Sequence, residues 1–264
     1  MIEQEPYRAA LTEKYRAMAN STKGEAVMLA DLNVRRISSS PPAWLVSNFL
    51  SPNEMAFLKE AHSPAMLSCF PGLPEPLVHH FVLPYLGSKF MALVGMRVCR
   101  EVNNEEIPKR EAGNAVLKAV NSRMESFLTK GLLYKPFRQK VLDFQIVQYR
   151  RGGTFKLHRD EDMSGQGFPL TMMAYLNTVP EGEGGETVFP LSLPSPMEVR
   201  PIAGDLLVWS TAGVGGKALH ESQHAGLPPT NEEGKWILNK FWYDEDLRWS
   251  EGAEPGFKPF EYFL

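Results

Sequence analysis

A chain of 264 residues, 43% hydrophobic and 22% charged, has ordinary globular composition and suits one closed-sheet domain with decorations or two small domains. A net charge of −3 and a pI near 6.1, with no run of like charges beyond a few residues, disfavour nucleic acid as the main partner. No stretch of about 18 apolar residues occurs, so no membrane span is expected.

The start, Met1-Ile2-Glu3-Gln4-Glu5, lacks the basic segment and apolar core of a secretory signal, and a cytoplasmic location is expected. Residues 7–19 predict a short helix with Leu11, Tyr15 and Met18 on one face. Ser38-Ser39-Ser40-Pro41-Pro42 reads as a linker, which makes residues 1–40 an N-terminal extension and 41–264 the main domain. Ala43-Trp44-Leu45-Val46 predicts a strand. Ser51-Pro52-Asn53-Glu54 then starts a helix, with Ser51 as N-cap, Pro52 in the first turn and Glu54 closing a capping box. Met55, Phe57, Leu58 and Ala61 fit its buried face. Residues 63–110 carry several prolines and no clean period. Cys69 and Cys99 are the two cysteines, without CxxC spacing, so neither a disulfide framework nor a zinc site is read and a reducing compartment is expected. Glu111 to Lys130 is the strongest predicted helix, with Val116, Leu117, Val120, Met124, Phe127 and Leu128 forming an apolar face that needs a sheet or helix to cover it.

After residue 140 the texture changes to short strands: 141–149, 170–179, 186–189, 197–199, 205–210 and 236–243. Gly152-Gly153 and the Gly182-Glu183-Gly184-Gly185 run read as hairpin turns; the latter lacks the GK[ST] ending of a phosphate loop. This spacing suggests a β-sandwich or barrel, with the helical first half packed outside it. The C-terminal Glu261-Tyr262-Phe263-Leu264 is not an ER retention signal. The oligomeric state is not read from the sequence.

Chemistry concentrates in His158-Arg159-Asp160 and in residues far downstream. On a strand, residues two apart share a face, so His158 and Asp160 can grip one metal while Arg159 points away. Two imidazoles and a carboxylate suit Fe(II) and leave positions open for other ligands. With six histidines in the chain, one HxD pair is weak by itself, and His220 and His224 compete as third ligand. His62 and His79-His80 read as surface or packing residues. Trp209, Trp236 and Trp242 read as core. Lys235, at the head of an apolar strand, would be costly to bury without an anionic partner, whereas Lys240 falls on the opposite face of that strand.

Residues Asp143 to Tyr243 resemble the catalytic domain of the prolyl 4-hydroxylase family of Fe(II)/2-oxoglutarate dioxygenases. The resemblance is carried in order by Val147-Gln148-Tyr149-Arg150 with Gly152-Gly153, His158-Arg159-Asp160, Leu170 to Asn177, Gly184 to Pro190, Pro201 to Asp205, His224-Ala225-Gly226-Leu227-Pro228 and Gly234-Lys235-Trp236. It implies a double-stranded β-helix (jelly-roll), mainly β with flanking helices, whose catalytic core spans about 141–245. It also implies His158, Asp160 and His224 as iron ligands, the context of His224 favouring it over His220. Lys235 is implied to pair with the distal carboxylate of 2-oxoglutarate, helped by Tyr149, and Thr187 is expected to line the same pocket. The implied reaction consumes O2 and 2-oxoglutarate and hydroxylates an unactivated C–H bond, with succinate and CO2 as coproducts and ascorbate as reductant. Retention of Asp160 favours hydroxylation over halogenation, because related halogenases carry a small residue there.

Three positions depart from the family pattern. Phe168 stands where an arginine is usual, the lysine follows His224 by about one residue more than usual, and Phe241, beside Trp242, replaces an expected tryptophan. The leading substrate is a prolyl residue in a peptide or protein. A free amino acid or other small metabolite is the alternative, favoured if Phe168 and the Glu161–Pro169 loop close the pocket. A non-catalytic binding module of the same fold is disfavoured by the intact ligand set.

Overall fold

The computed structural model describes residues 32–62, 67–68, 100–103, 111–131, 139–141, 144–161, 167–168, 170–213 and 218–244. The helix expected over 7–19, the cysteines and His79-His80 lie outside these residues, as does most of the Glu161–Pro169 loop.

Among the described residues, thirteen strands form two antiparallel sheets. They are β1 (Asn33–Ser39), β2 (Pro42–Ser47), β3 (Leu67–Ser68), β4 (Arg100–Asn103), β5 (Gln139–Val141), β6 (Gln145–Tyr149), β7 (Phe155–His158), β8 (Leu170–Tyr175), β9 (Thr187–Phe189), β10 (Met197–Val199), β11 (Leu206–Trp209), β12 (His224–Gly226) and β13 (Lys235–Asp244). The large sheet runs β1-β2-β11-β8-β13-β6-β4-β3, with β5 also paired to β13; the small sheet runs β10-β9-β12-β7. Two helices, α1 (Pro52–His62) and α2 (Glu111–Ser126, continued by a π turn over Phe127–Gly131), complete the described elements apart from a short 3-10 turn at His220–Ser222.

The large sheet is covered on both faces, which explains why Leu170–Tyr175 and Leu206–Trp209 are buried at every position. One face meets the helices: Trp44, Val46, Ile146, Met172, Ala174, Val208 and Leu238 pack with Phe57, Leu58 and the predicted α2 face of Val116, Leu117, Val120, Met124, Phe127 and Leu128. The other face meets the small sheet: Val147, Tyr149, Met173, Tyr175, Leu207, Trp209 and Ile237 pack with Phe189, Met197 and Val199. Strand alternation sorts β13 between them. Trp236, Leu238 and Trp242 join the helix side, while Lys235 and Ile237 face the interior between the sheets. Lys240 falls on the helix side as expected, its Nζ 4.0 Å from the Phe144 ring centroid.

The helices are joined by a buried ion pair built on the predicted capping box. Ser51 N–H donates to Glu54 Oε2 (2.9 Å) and Glu54 N–H donates to Ser51 Oγ (3.3 Å). The same carboxylate accepts both arms of Arg123 from α2, at 2.6 and 3.0 Å, and Arg123 also donates to Phe49 O at 2.7 Å.

Several expectations are corrected. The stretch expected as a linker is the end of β1 and the turn into β2, which pair from Asn33↔Ser47 to Ser39↔Pro42. The helical first half is not what the described residues hold: among them that half contributes two helices and four strands of the large sheet. The glycine turns at 152–153 and 182–185 do not close hairpins. Each carries the chain from one sheet to the other, from β6 to β7 and from β8 to β9. Glycine marks the turn, but which strand pairs next is decided by which face must be buried.

Candidate metal centre

The small sheet places the two candidate histidines side by side. His224 on β12 is the cross-strand partner of His158 on β7, with ring centroids 4.2 Å apart. Asp160 lies two residues beyond the end of β7. One ligand atom from each of the three lies within 4.8 Å of the others, and no other such group converges among the described residues. His158 Nε2 stands 3.6 Å from Asp160 Oδ1, and His224 Nε2 stands 3.7 Å from Asp160 Oδ2. His220 is exposed in the 3-10 turn and takes no part.

Backbone carbonyls set the tautomers. His158 Nδ1 is 2.7 Å from Lys156 O, and His224 Nδ1 is 2.9 Å from Ser222 O. A carbonyl only accepts, so each ring carries a proton on Nδ1 and turns Nε2 toward Asp160. Aromatic rings wall the cluster: Phe155 stacks on His158 at 3.5 Å, Phe189 stacks on His224 at 5.2 Å, and Trp209 meets His224 edge-on at 5.1 Å. Burial holds His224 down at about 4, partly countered by Asp160, so its ring is neutral at physiological pH. Burial pushes Asp160 upward, but His224, His158 and the Thr171 hydroxyl outweigh it and keep the carboxyl below its ordinary range. Two imidazoles with a committed carboxylate fit a divalent metal of the Fe(II) type.

A hydroxyl on the large sheet supports the Asp160 carboxylate, and one in the loop after β11 supports its backbone. Thr171 Oγ1 on β8 donates to Asp160 Oδ2 at 3.0 Å. The Thr211 hydroxyl lies 2.8 Å from Asp160 O and 2.9 Å from Phe168 O, and accepts the Phe168 N–H at 2.6 Å. It thereby ties together both sides of the loop between Glu161 and Phe168.

The same cavity, about 350 Å³, contains Lys235. Lys235 is 2% exposed, and its Nζ donates to Thr187 Oγ1 at 3.0 Å. Tyr175 Oη donates to the same Thr187 oxygen at 3.0 Å, which leaves the Thr187 proton available to an acceptor. Lys235 Nζ lies 5.8 and 5.5 Å from the Tyr149 and Tyr175 ring centroids, and Tyr149 is its cross-strand partner. Burial lowers the Lys235 ammonium to about 7, with Glu186 offsetting part of the effect. A buried cation with no ion pair among the described residues fits one carboxylate of a dianion.

Local backbone explains why the lysine is so placed. Gly234 has φ +73, and a Cβ there would overlap the Tyr149 carbonyl oxygen. Asn177 grips both flanks of Lys235, donating from Nδ2 to Gly234 O and accepting from Trp236 N, each at 2.8 Å.

All six residues singled out in the sequence, His158, Asp160, His224, Lys235, Tyr149 and Thr187, line this one cavity. Arg159 is a correction: it does not point away but lines the cavity too. β7 stops at His158, so strand alternation no longer governs the next residue. Thr171, Tyr175 and Thr211 were not singled out; their signal lies in the register of β8 and in the loop after β11, not in any local motif.

Residues 144–243 match the family model of the 2OG-Fe(II) oxygenase superfamily. No curated protein matches the chain. Among solved structures, a viral collagen prolyl hydroxylase from Paramecium Bursaria Chlorella virus-1, in a 2OG complex, is 22% identical with a TM-score of 0.52, covering 76% of this chain and 94% of its own. A Pseudomonas putida prolyl-4-hydroxylase is 14% identical with a TM-score of 0.51, covering 87% and 98%. A Trichoplax adhaerens prolyl hydroxylase, in complex with a hypoxia inducible factor oxygen degradation domain peptide fragment, is 14% identical with a TM-score of 0.55, covering 96% and 98%. These likenesses are of fold: mainly β, with antiparallel sheets.

Proposed function

We propose, from the match of residues 144–243 to the 2OG-Fe(II) oxygenase superfamily, that the protein is an Fe(II)- and 2-oxoglutarate-dependent dioxygenase that hydroxylates an unactivated C–H bond. The observation that carries this reading is one cavity holding, together, a convergent His/Asp/His set and a buried lysine with no anionic partner among the described residues. Nothing but the paired use of metal and dianion needs both.

In this reading His158, Asp160 and His224 hold the metal, Thr171 fixes the Asp160 carboxylate, and the Nδ1 bonds to Lys156 O and Ser222 O fix the imidazoles. When bound, iron with 2-oxoglutarate and O2 supplies the oxidation: the cosubstrate leaves as succinate and CO2, one oxygen atom enters succinate and the other the C–H bond. Lys235 binds the distal carboxylate, with Thr187 donating its free proton and Tyr149 beside it. Phe155, Phe189 and Trp209 exclude bulk water, which strengthens the charge pairing at Lys235. Ascorbate is the expected reductant.

A prolyl residue in a peptide or protein is the leading substrate. A free amino acid or small metabolite is the second reading, favoured by Phe168 and Phe241, whose rings meet at 5.0 Å beside the metal cluster.

The test is anaerobic addition of Fe(II) and 2-oxoglutarate, watching for the visible metal-to-ligand charge-transfer band. A band in wild type, weakened or lost in His158→Ala and Lys235→Ala, supports the reading. No band from folded, iron-loaded protein overturns it and promotes the non-catalytic alternative.

A further inference from the structure

Resting on the dioxygenase reading, we infer that the primary substrate bears a carboxylate close to the carbon that reacts, and that Arg159 is the residue that recognises it. Arg159 sits between two candidate metal ligands and lines the cavity. Among the described residues its single polar contact is an ion pair from Nε to Glu161 Oε2 at 3.3 Å, with both side chains about one-third exposed (34% and 35%). An arginine has five N–H donors in a planar fork, and the Nη1/Nη2 edge, the one that grips a carboxylate in two parallel bonds, has no acceptor among those residues.

The cosubstrate does not account for this cation. Lys235 and Phe241 are six residues apart on β13, roughly 20 Å of extended chain. Phe241 pairs with Thr171, and Thr171 holds Asp160, so Arg159 belongs to the Phe241 end of the cavity and Lys235 to the other. Lys235 has no carboxylate partner among the described residues, and Arg159 keeps its Nη1/Nη2 edge open after pairing through Nε with Glu161, so each end of the cavity can receive a carboxylate.

The neighbours of Arg159 describe the rest of the molecule. Phe168 and Phe241 form an apolar plate against which a ring or alkyl carbon can lie. Asn239, two residues from Phe241 and on the same face of β13, also lines the cavity, and its buried Oδ1 has no hydrogen-bond partner among the described residues. Leaving a buried acceptor in that condition is costly, so it asks for a donor from whatever fills the cavity. Cation, apolar plate and acceptor together suit a carboxylate, a saturated carbon frame and an N–H. That chemistry has two sources, a free amino or imino acid, or an acidic residue beside the target residue in a peptide.

The experiment uses full-length protein loaded anaerobically with Fe(II) and 2-oxoglutarate, reading displacement of the charge-transfer band and calorimetric binding. Probes are the twenty free amino acids, their amides, and capped proline tripeptides carrying Glu or Gln on either side. The expected result is that a carboxylate probe binds roughly 10- to 100-fold more tightly than its amide. Arg159→Gln should erase that discrimination while leaving the band with 2-oxoglutarate alone unchanged, and Arg159→Lys should restore part of it. The free-acid arm or the Glu-peptide arm identifies the source. A band that no carboxylate probe perturbs more than its amide overturns the role of Arg159 alone, as does discrimination that survives in Arg159→Gln. No band with 2-oxoglutarate overturns the dioxygenase reading and this inference with it.

Discussion

Replacing Lys235 by methionine should move two quantities in opposite directions: the stability of the protein without cosubstrate should rise, and its affinity for 2-oxoglutarate should fall. Burial lowers the Lys235 ammonium from its ordinary 10.5 to about 7. The folded value lies below the unfolded one, so the unfolded chain binds this proton more tightly. Below about pH 7 the full destabilisation is present; it fades as pH rises toward 10.5, where neither state is charged. At pH 7 this amounts to on the order of 4 kcal/mol, against which methionine forfeits the bond to Thr187, about 1 kcal/mol. The net gain of about 3 kcal/mol corresponds to roughly 10 °C in Tm for a chain of this size. Calorimetric melts of wild type and Lys235→Met at pH 7 and pH 10 should show that gap shrinking at the higher pH. In the same proteins 2-oxoglutarate should bind the variant roughly 10- to 100-fold more weakly, the worth of a hydrogen bond to a charged group. Near pH 8 wild-type binding should take up a proton, because the dianion restores the lysine charge. A variant that melts below wild type at pH 7, or a gap indifferent to pH, would refute the reasoning.

Three further outcomes are expected. Arg123→Met leaves the Glu54 carboxylate buried, at 3% exposure, without its guanidinium, and should cost about 3–5 kcal/mol in denaturant unfolding; an unchanged midpoint would contradict the role given to the ion pair. Thr171→Val keeps the shape of the side chain but removes the bond to Asp160 Oδ2, so competitive titration should show Fe(II) affinity lower by about 10- to 100-fold at nearly constant Tm. Gly234→Ala should destabilise by more than about 2 kcal/mol, since its φ of +73 is joined by overlap with the Tyr149 carbonyl, while Gly182→Ala, φ +80 in open space, should cost only about 1 kcal/mol. Equal losses at the two glycines would show that the overlap at Gly234 is relieved.

The parts of the site legible in the sequence are those whose chemistry demands a rare residue type. His158 and Asp160 formed an HxD pair that is weak by itself, the family resemblance favoured His224 over His220, and Lys235 stood out because a cation in an apolar strand needs a reason. The supporting hydroxyls were invisible for the opposite reason. Threonines are common, and Thr171 gains its meaning only when β8 is registered against β11 and β13. Long-range pairing hid the Glu54–Arg123 contact, whose members are 69 residues apart. Local pattern misled where an element ended. Alternation assigned Arg159 to the outside, but β7 had already stopped, and serine and proline at 38–42 signalled a linker where two strands meet. The α2 face was legible because 3.6-residue periodicity over sixteen residues leaves little freedom in which side turns inward.

The division of labour between the sheets has a mechanical consequence. Both candidate histidines stand on the small sheet and Asp160 follows one of its strands, whereas Lys235 stands on the large one. A metal held by the first three would ride with the small sheet, but a dianion reaching from that metal to Lys235 would span the gap between the layers. Already Lys235 and Tyr175 reach across to Thr187 on β9. Cosubstrate would thus act as a tie between two plates: amide hydrogen exchange in β9 and β12 should slow when it binds, and the layers could not part without releasing it, though they could part with the metal still seated.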